Sequence, residues 1–188
     1  MLVSALAGSR NHLSASFPSN WADLIDVDFQ RRKIEKVLLD HAKGRTWPSV
    51  ITDGDTGRVI GRVTLNDIVY ANRCCCFISY WLAESATGSG HATRAVGQLL
   101  AIAFGELRLH RVDAFVQPSN TASLAVLERC AFERIGVAKR HTYVNGDWRD
   151  EALLQKLAPW DGPGLTEPAP TLETTAVAEP VTGLSADA

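Results

Sequence analysis

Tyr80-Trp81-Leu82-Ala83-Glu84-Ser85-Ala86-Thr87-Gly88-Ser89-Gly90-His91-Ala92-Thr93 carries the chain from an apolar segment, through a glycine-rich turn, toward a helical repeat. Before the turn, residues 73–83 are apolar at both alternating sets of positions. Cys74, Cys76, Ile78, Tyr80 and Leu82 form one set; Phe77, Trp81 and Ala83 form the other. A strand apolar on both faces belongs in the centre of a sheet. After the turn, Ala92, Val96, Leu99, Leu100, Ala103 and Leu107 repeat with the period of a helix running to about Arg108. Residues 110–117 are again extended, with Val112, Ala114 and Val116 on one face. Strand, helix and strand at this length read as a right-handed parallel crossover.

The flanks add antiparallel pieces. A helix is expected over 26–43, with Ile34, Val37, Leu38 and His41 on one stripe and Gly44 at its stop. Segments 47–52 and 58–69 flank Asp53-Gly54-Asp55-Thr56-Gly57, a hairpin signal. Pro118-Ser119-Asn120 caps a helix to about Cys130, buried through Leu124 and Leu127. Asn145-Gly146 marks a second hairpin. A two-residue turn there pairs Tyr143 with Trp148, His141 with Asp150 and Arg140 with Glu151, as cross-strand packing and surface ion pairs.

Composition narrows the function classes. The 188 residues are 46% apolar and 21% charged, which is globular composition. No apolar run reaches the roughly 20 residues that cross a bilayer, and the first residues lack the basic flank of a secretory signal. Neither a membrane protein nor an exported one is expected. Five acids (Asp161, Glu167, Glu173, Glu179, Asp187) and no Lys or Arg follow Lys156, so the formal −2 of the whole chain becomes +3 over residues 1–157. That balance suits an anionic ligand but is far from a nucleic-acid-binding stripe. Five of the eight prolines lie from Pro159 onward, so residues 158–188 read as a disordered tail behind one domain over 1–157. Cys74, Cys75 and Cys76 alternate faces and cannot form paired zinc ligands; with Cys130 they read as buried reduced thiols in the cytoplasm. The five histidines show no metal-ligand spacing, so no metal is expected.

The glycine-rich turn is the chemically informative element. Gly88 and Gly90 permit unusual backbone angles and close approach of a ligand. The first helical N–H groups, Gly90 to Arg94, have no intrahelical acceptor and lie at the positive end of the helix dipole. Such a corner holds a pyrophosphate without lysines. No Gly-Lys-Ser/Thr follows, so this is not a Walker loop. Thr93 stands where a dinucleotide fingerprint needs its third glycine. An anion site of neither kind, on a small mixed domain, points to coenzyme A.

Five motifs occur in order: Tyr80-Trp81-Leu82; Gly88-Ser89-Gly90-His91-Ala92-Thr93; Leu109-His110-Arg111-Val112; Asn120 through Phe132; and Asn145-Gly146-Asp147-Trp148-Arg149-Asp150. Over about residues 45–157 the set resembles the GNAT acetyltransferase superfamily, within it the RimJ/RimL-type ribosomal-protein N-acetyltransferases. The resemblance implies an α+β fold in three α/β/α layers. Its sheet is mixed and mostly antiparallel, with a splayed parallel strand pair. It implies transfer of acetyl from acetyl-CoA to a primary amine, here a protein N-terminus such as a ribosomal protein's, by a monomer or homodimer. By that resemblance, Leu82 and Ala83 pair with the pantetheine arm. Thr87, Gly88, Ser89, Gly90, His91, Ala92 and Thr93 take the pyrophosphate, and Asn120 contacts the thiol end. Ser123 protonates the departing thiolate.

The sequence departs from that pattern in several places. Thr87 replaces a usual Gln or Arg, and Ala131 a usual Gly. The central strand lacks a carboxylate ahead of Tyr80, which leaves the base open between Glu84 and Asp113. No opening strand precedes residues 2–6, so either the true start lies upstream or the sheet lacks its first strand. Two other readings stay open: a small-amine acceptor such as an antibiotic or polyamine, and a CoA-binding module without catalysis.

Overall fold

The segment apolar on both faces lies in the middle of the sheet. The computed structural model describes residues 2–14 and 20–160. Its strands are β1 (Trp47–Thr52), β2 (Val59–Val69), β3 (Cys75–Leu82), β4 (Arg111–Val116), β5 (Glu133–Val144) and β6 (Asp147–Leu157). They form one six-stranded sheet in the order β1-β2-β3-β4-β6-β5. Every neighbouring pair is antiparallel except β3 with β4, which is parallel. The fold is therefore the mixed α+β architecture expected.

Helices cover both faces because β3 is apolar on both. Helices α5 (His91–Ala101) and α6 (Thr121–Arg129) lie on one side. There Ile78 and Leu82 share a core with Val96, Leu99, Leu100, Val112, Ala114 and Leu127. On the opposite face Trp81 packs against Leu6, Leu13, Trp21 and Leu24. Those side chains come from α1 (Leu2–Ala7), α2 (Arg10–Leu13) and α3 (Trp21–Ile25). Among the described residues no strand precedes Trp47. The N-terminal segment instead contributes short helices whose leucines cover Trp81.

Helix α4 (Val27–Ala42) starts as expected, with Asp26 accepting from the Phe29 N–H at 2.6 Å. Gly44 follows it in the left-handed region at φ 68°. Its expected buried stripe does not form: Ile34 is 42% and Leu38 53% exposed. The buried position is Gln30, whose Nε2 donates to Leu24 O at 2.8 Å. The helix leans on α3 and on edge strand β1, where His41 meets the Trp47 ring edge-on at 5.1 Å. An apolar stripe needs a sheet face to bury it, and α4 has only an edge.

In the C-terminal hairpin Asn145 (φ 53°) and Gly146 (φ 82°) make the turn. Tyr143 faces Trp148 with ring centroids 5.5 Å apart, as expected. The next two expected pairs exchange partners. The register shifts between Ala138 and Thr142, with Arg140 at φ 50°. Arg140 N–H donates to Asp150 Oδ1 at 2.9 Å, and His141 Nδ1 lies 2.7 Å from Glu151 Oε2. A bulge without glycine leaves no local sequence signal.

Cys74, Cys75 and Cys76 are buried as expected, whereas Cys130 is only half-buried; burial raises the Cys76 thiol well above its ordinary range. Residues 161–188 of the expected tail lie outside the described residues. At its start the Ala158 N–H donates to His110 O at 2.9 Å, and Arg108 lies 5.3 Å from the centre of the Trp160 ring.

At Gly61, opposite Leu82 in the β2–β3 ladder, there is no room for a side chain. A Cβ there would stand 2.4 Å from Trp81 O and 2.8 Å from Leu82 Cδ2. Gly61→Ala is expected to cost about 1–3 kcal/mol, read as a lower urea midpoint. An unchanged midpoint would show that the two strands can part freely.

Candidate active site

The parallel ladder is short. Cys75 pairs with Arg111, Cys76 with Val112 and Phe77 with Asp113, and pairing then stops. Beyond that point β3 and β4 diverge. The Ala83 N–H donates to Ile60 O at 2.7 Å. Successive residues of an antiparallel strand alternate between facing the partner and facing away. The main-chain groups of Tyr80 and Leu82 therefore point toward β4, into the opening.

Two cavities meet at this opening. One, of about 980 Å³, lies beside α5 and α6; the other, of about 560 Å³, lies across the sheet. Tyr80, Trp81, Gln117, Asn120 and Ser123 line both.

The larger cavity ends on the glycine-rich turn. Gly88 and Gly90 have φ of 81° and 76°. A Cβ on Gly88 would meet nothing within 4 Å, so its φ is the reason for glycine there. Gly90 is the N-cap of α5 and makes no side-chain cap bond. The first helical hydrogen bond is Arg94 N to Gly90 O at 3.0 Å. The N–H groups of His91, Ala92 and Thr93 thus lack intrahelical acceptors at the positive end of the helix dipole. Arg94 and Arg129 line the same cavity. Arg94 Nη2 also lies 3.0 Å from His91 Nδ1. Free amides and two guanidinium groups suit a diphosphate.

Leu82, Thr87, Gly88, Gly90, His91, Ala92, Thr93, Asn120 and Ser123 all line this cavity. Ala83 and Ser89 do not. Both main-chain groups of Ala83 are already used, the N–H by Ile60 O and the carbonyl by Ala86 N at 2.9 Å. The hydroxyl of Thr87 donates to Glu84 O at 2.8 Å, so it shapes the turn. Arg94 brings to this cavity a cationic group of the kind that Thr87 lacks. Sequence reading missed it, although helical spacing places residue 94 one turn above Gly90.

Asn120 caps α6: its Oδ1 accepts from the Ser123 N–H at 3.0 Å, which leaves its NH₂ for a ligand. Ser123 Oγ lies 2.7 Å from the Tyr80 hydroxyl, which also donates to Ser123 O at 3.1 Å. Burial pushes the Tyr80 phenol up to about 12, against the opposing pull of its Ser123 hydrogen bond. The phenol therefore remains a proton-bearing group at neutral pH.

Neither expected base reaches the cavities. Glu84 is exposed at the start of a 3-10 turn and lines neither of them. Asp113 is held by Arg111, Nε to Oδ1 2.9 Å, and also lines neither. The smaller cavity instead contains His141 and Glu151. Glu151 Oε2 also accepts from the Thr142 hydroxyl at 2.8 Å. The His141 ring lies 5.3 Å from that of Phe115, which in turn leans on Phe77 at 5.7 Å. The bulge in β5 makes this pair, so sequence reading placed both residues in other pairings.

The acetyltransferase (GNAT) domain profile matches residues 10–133. The chain belongs to the GNAT acetyltransferase family. It is an acetyl-CoA-dependent N-acetyltransferase, so the reading as a non-catalytic CoA-binding module falls away. Among relatives of this acetyltransferase, the probable N-acetyltransferase YjcK of Bacillus subtilis (strain 168) is 34% identical over 139 residues, 74% of this chain and 77% of that protein. The ribosomal protein uS5-alanine N-acetyltransferase of Escherichia coli (strain K12) is 24% identical over 151 residues, 80% of this chain and 73% of that one. The structure of Mycobacterium smegmatis RimJ in complex with CoA-disulfide has a TM-score of 0.79 at 31% identity, covering 84% of this chain and 76% of its own.

Arg94→Ala is expected to weaken CoA binding about tenfold by calorimetry, the loss of one charge-assisted contact. An unchanged Kd would remove the guanidinium from the cofactor site. A second prediction concerns pH. Below the ordinary tyrosine value of 10 the Tyr80 phenol is neutral in the folded and unfolded chains alike. Between there and about 12 only the unfolded chain ionises, so stability falls as the pH rises. Tyr80→Phe should flatten that fall in urea midpoints compared at about pH 9 and about pH 11. Equal falls in both proteins would mean that the phenol is solvated.

Proposed function

We propose that this enzyme acetylates the N-terminal amine of a protein, a ribosomal protein being the first candidate, and that it works in the reducing cytoplasm. The observation that supports it most directly is the acceptor-side cavity. It is lined by Lys33 and Arg62 against a single carboxylate, Glu151. A polyamine or aminoglycoside would meet two cations there. A peptide carries only one charge at its reacting end. The likeness to an enzyme named for uS5 alanine and to RimJ points the same way.

The chemistry needs a neutral amine, a base, a donor for the thiolate and a donor for the oxyanion. His141 is the base in this reading. Glu151 accepts from the Nδ1–H, which leaves the lone pair on Nε2 to take the amine proton. The amine attacks the thioester carbonyl as that proton leaves, and the oxyanion forms beside the main chain of Tyr80 and Leu82. Collapse breaks the carbon–sulfur bond. Ser123 Oγ gives its proton to the thiolate and is reprotonated through the Tyr80 hydroxyl, 2.7 Å away. A thiolate with an ordinary pKa near ~8.5 needs only modest help, so positioning supplies much of the acceleration.

With acetyl-CoA and peptides beginning in Ala or Ser, the enzyme should release CoA in proportion to acetylated peptide. CoA release with polyamines or aminoglycosides alone would overturn the acceptor assignment. His141→Gln should lower kcat about 10²–10⁴-fold while acetyl-CoA affinity holds. Its residual rate should climb with pH toward the α-amine pKa near ~8, as the amine deprotonates unaided. Ser123→Ala should lower kcat more than it raises the KM for acetyl-CoA; an unchanged rate would remove Ser123 from the mechanism.

A further inference from the structure

Lys33 and Arg62 play no part in the chemistry above. Lys33 comes from α4 and Arg62 from β2, yet both line the acceptor cavity. Arg62 pairs across the ladder with Trp81, which lines the opening between β3 and β4. Both side chains are partly removed from water, Arg62 more than Lys33, and among the described residues neither makes an ion pair or hydrogen bond. Burial lowers the Lys33 ammonium below its ordinary value, with the Arg62 charge adding to the effect. Burial likewise lowers Arg62.

Two like charges sharing a partly dry cavity destabilise one another unless an anion joins them. Across the same cavity the Glu151–His141 pair receives the amine. The acceptor site is thus polar in one direction, with a proton-accepting end and an anion-accepting end. We propose that Lys33 and Arg62 select acceptors whose reacting amine is tethered to a carboxylate, in a protein substrate an Asp or Glu close behind the N-terminal residue. The specificity rests on the protein N-terminus reading above.

The spacing sets the position. Arg62 lies one strand away from β3, about 4.8 Å, and an extended peptide advances about 3.3 Å per residue. The carboxylate therefore falls at the second or third residue. Its contact with a guanidinium is bidentate and with an ammonium point-like, so Arg62 is expected to discriminate more sharply than Lys33.

The test compares kcat/KM for three otherwise identical peptides beginning in Ser with Glu, Gln or Lys at positions two and three, alongside free glutamate. The Glu peptide should exceed the Gln peptide by about tenfold or more, and the Lys peptide should be poorest. In Arg62→Gln and in Lys33→Gln the ratio of Glu to Gln peptide should fall toward one. Because it is a ratio, partial loss of folded enzyme does not move it. Equal rates for Glu and Gln peptides in the wild type, or a ratio that survives both substitutions, would overturn the assignment. Turnover of free glutamate but of no peptide would keep the tethered carboxylate and overturn the protein acceptor. With no turnover of any acceptor, calorimetry of the CoA-loaded protein decides. Tighter binding of the Glu than the Gln peptide supports the anion site, and equal binding refutes it.

Discussion

Parallel strands hold one another by evenly spaced, slanted hydrogen bonds, and β3 and β4 give these up after Phe77 and Asp113. The rest of the site depends on that parting. It turns the main-chain groups of Tyr80 and Leu82 into a lined edge without a strand beside it. It also lets the cavities on the two faces of the sheet meet at Tyr80, Asn120 and Ser123. A thioester from one side and an amine from the other can then reach the same few ångströms without crossing a helical layer. The β2–β3 ladder extends to Gly61 and Leu82, well past the point where β4 leaves. The opening therefore has one rigid wall.

The two sides of the opening carry different charged groups. Toward α5 and α6 there are unpaired helical amides, Arg94 and Arg129, which suit a diphosphate. On the far side the charges are mixed, with His141 and Glu151 from the C-terminal hairpin and Lys33 and Arg62 from α4 and β2. Between them Tyr80 and Ser123 form a short hydroxyl chain that neutral pH leaves protonated. In the proposed reaction His141, on the far side, takes the amine proton and Ser123, where the two cavities meet, delivers the proton to the thiolate, so neither group has to serve both steps.

Much of the cofactor side was legible because its signals are local. A double-sided apolar strand, a Gly-x-Gly turn, an amphipathic helix and an Asn-capped helix each announce themselves within about a dozen residues. They formed where the periodicity placed them. The acceptor side was not legible. His141 and Glu151 meet through a register shift at Arg140, a residue that gives no turn signal, while Lys33 and Arg62 stand 29 positions apart. Glu84 and Asp113 looked suitable as bases by type and neighbourhood. Exposure in one case and an ion pair with Arg111 in the other keep them out of both cavities.

The sequence by itself determined the central strand, the phosphate-competent turn and the order of the elements, because hydrophobic period and backbone freedom act between near neighbours. Tertiary structure alone decided where α4 rests, what covers Trp81, and which acid meets which base in the hairpin. Those outcomes depend on which surfaces remain to be buried once the sheet has formed, and a one-residue change of register moves a side chain from one face to the other.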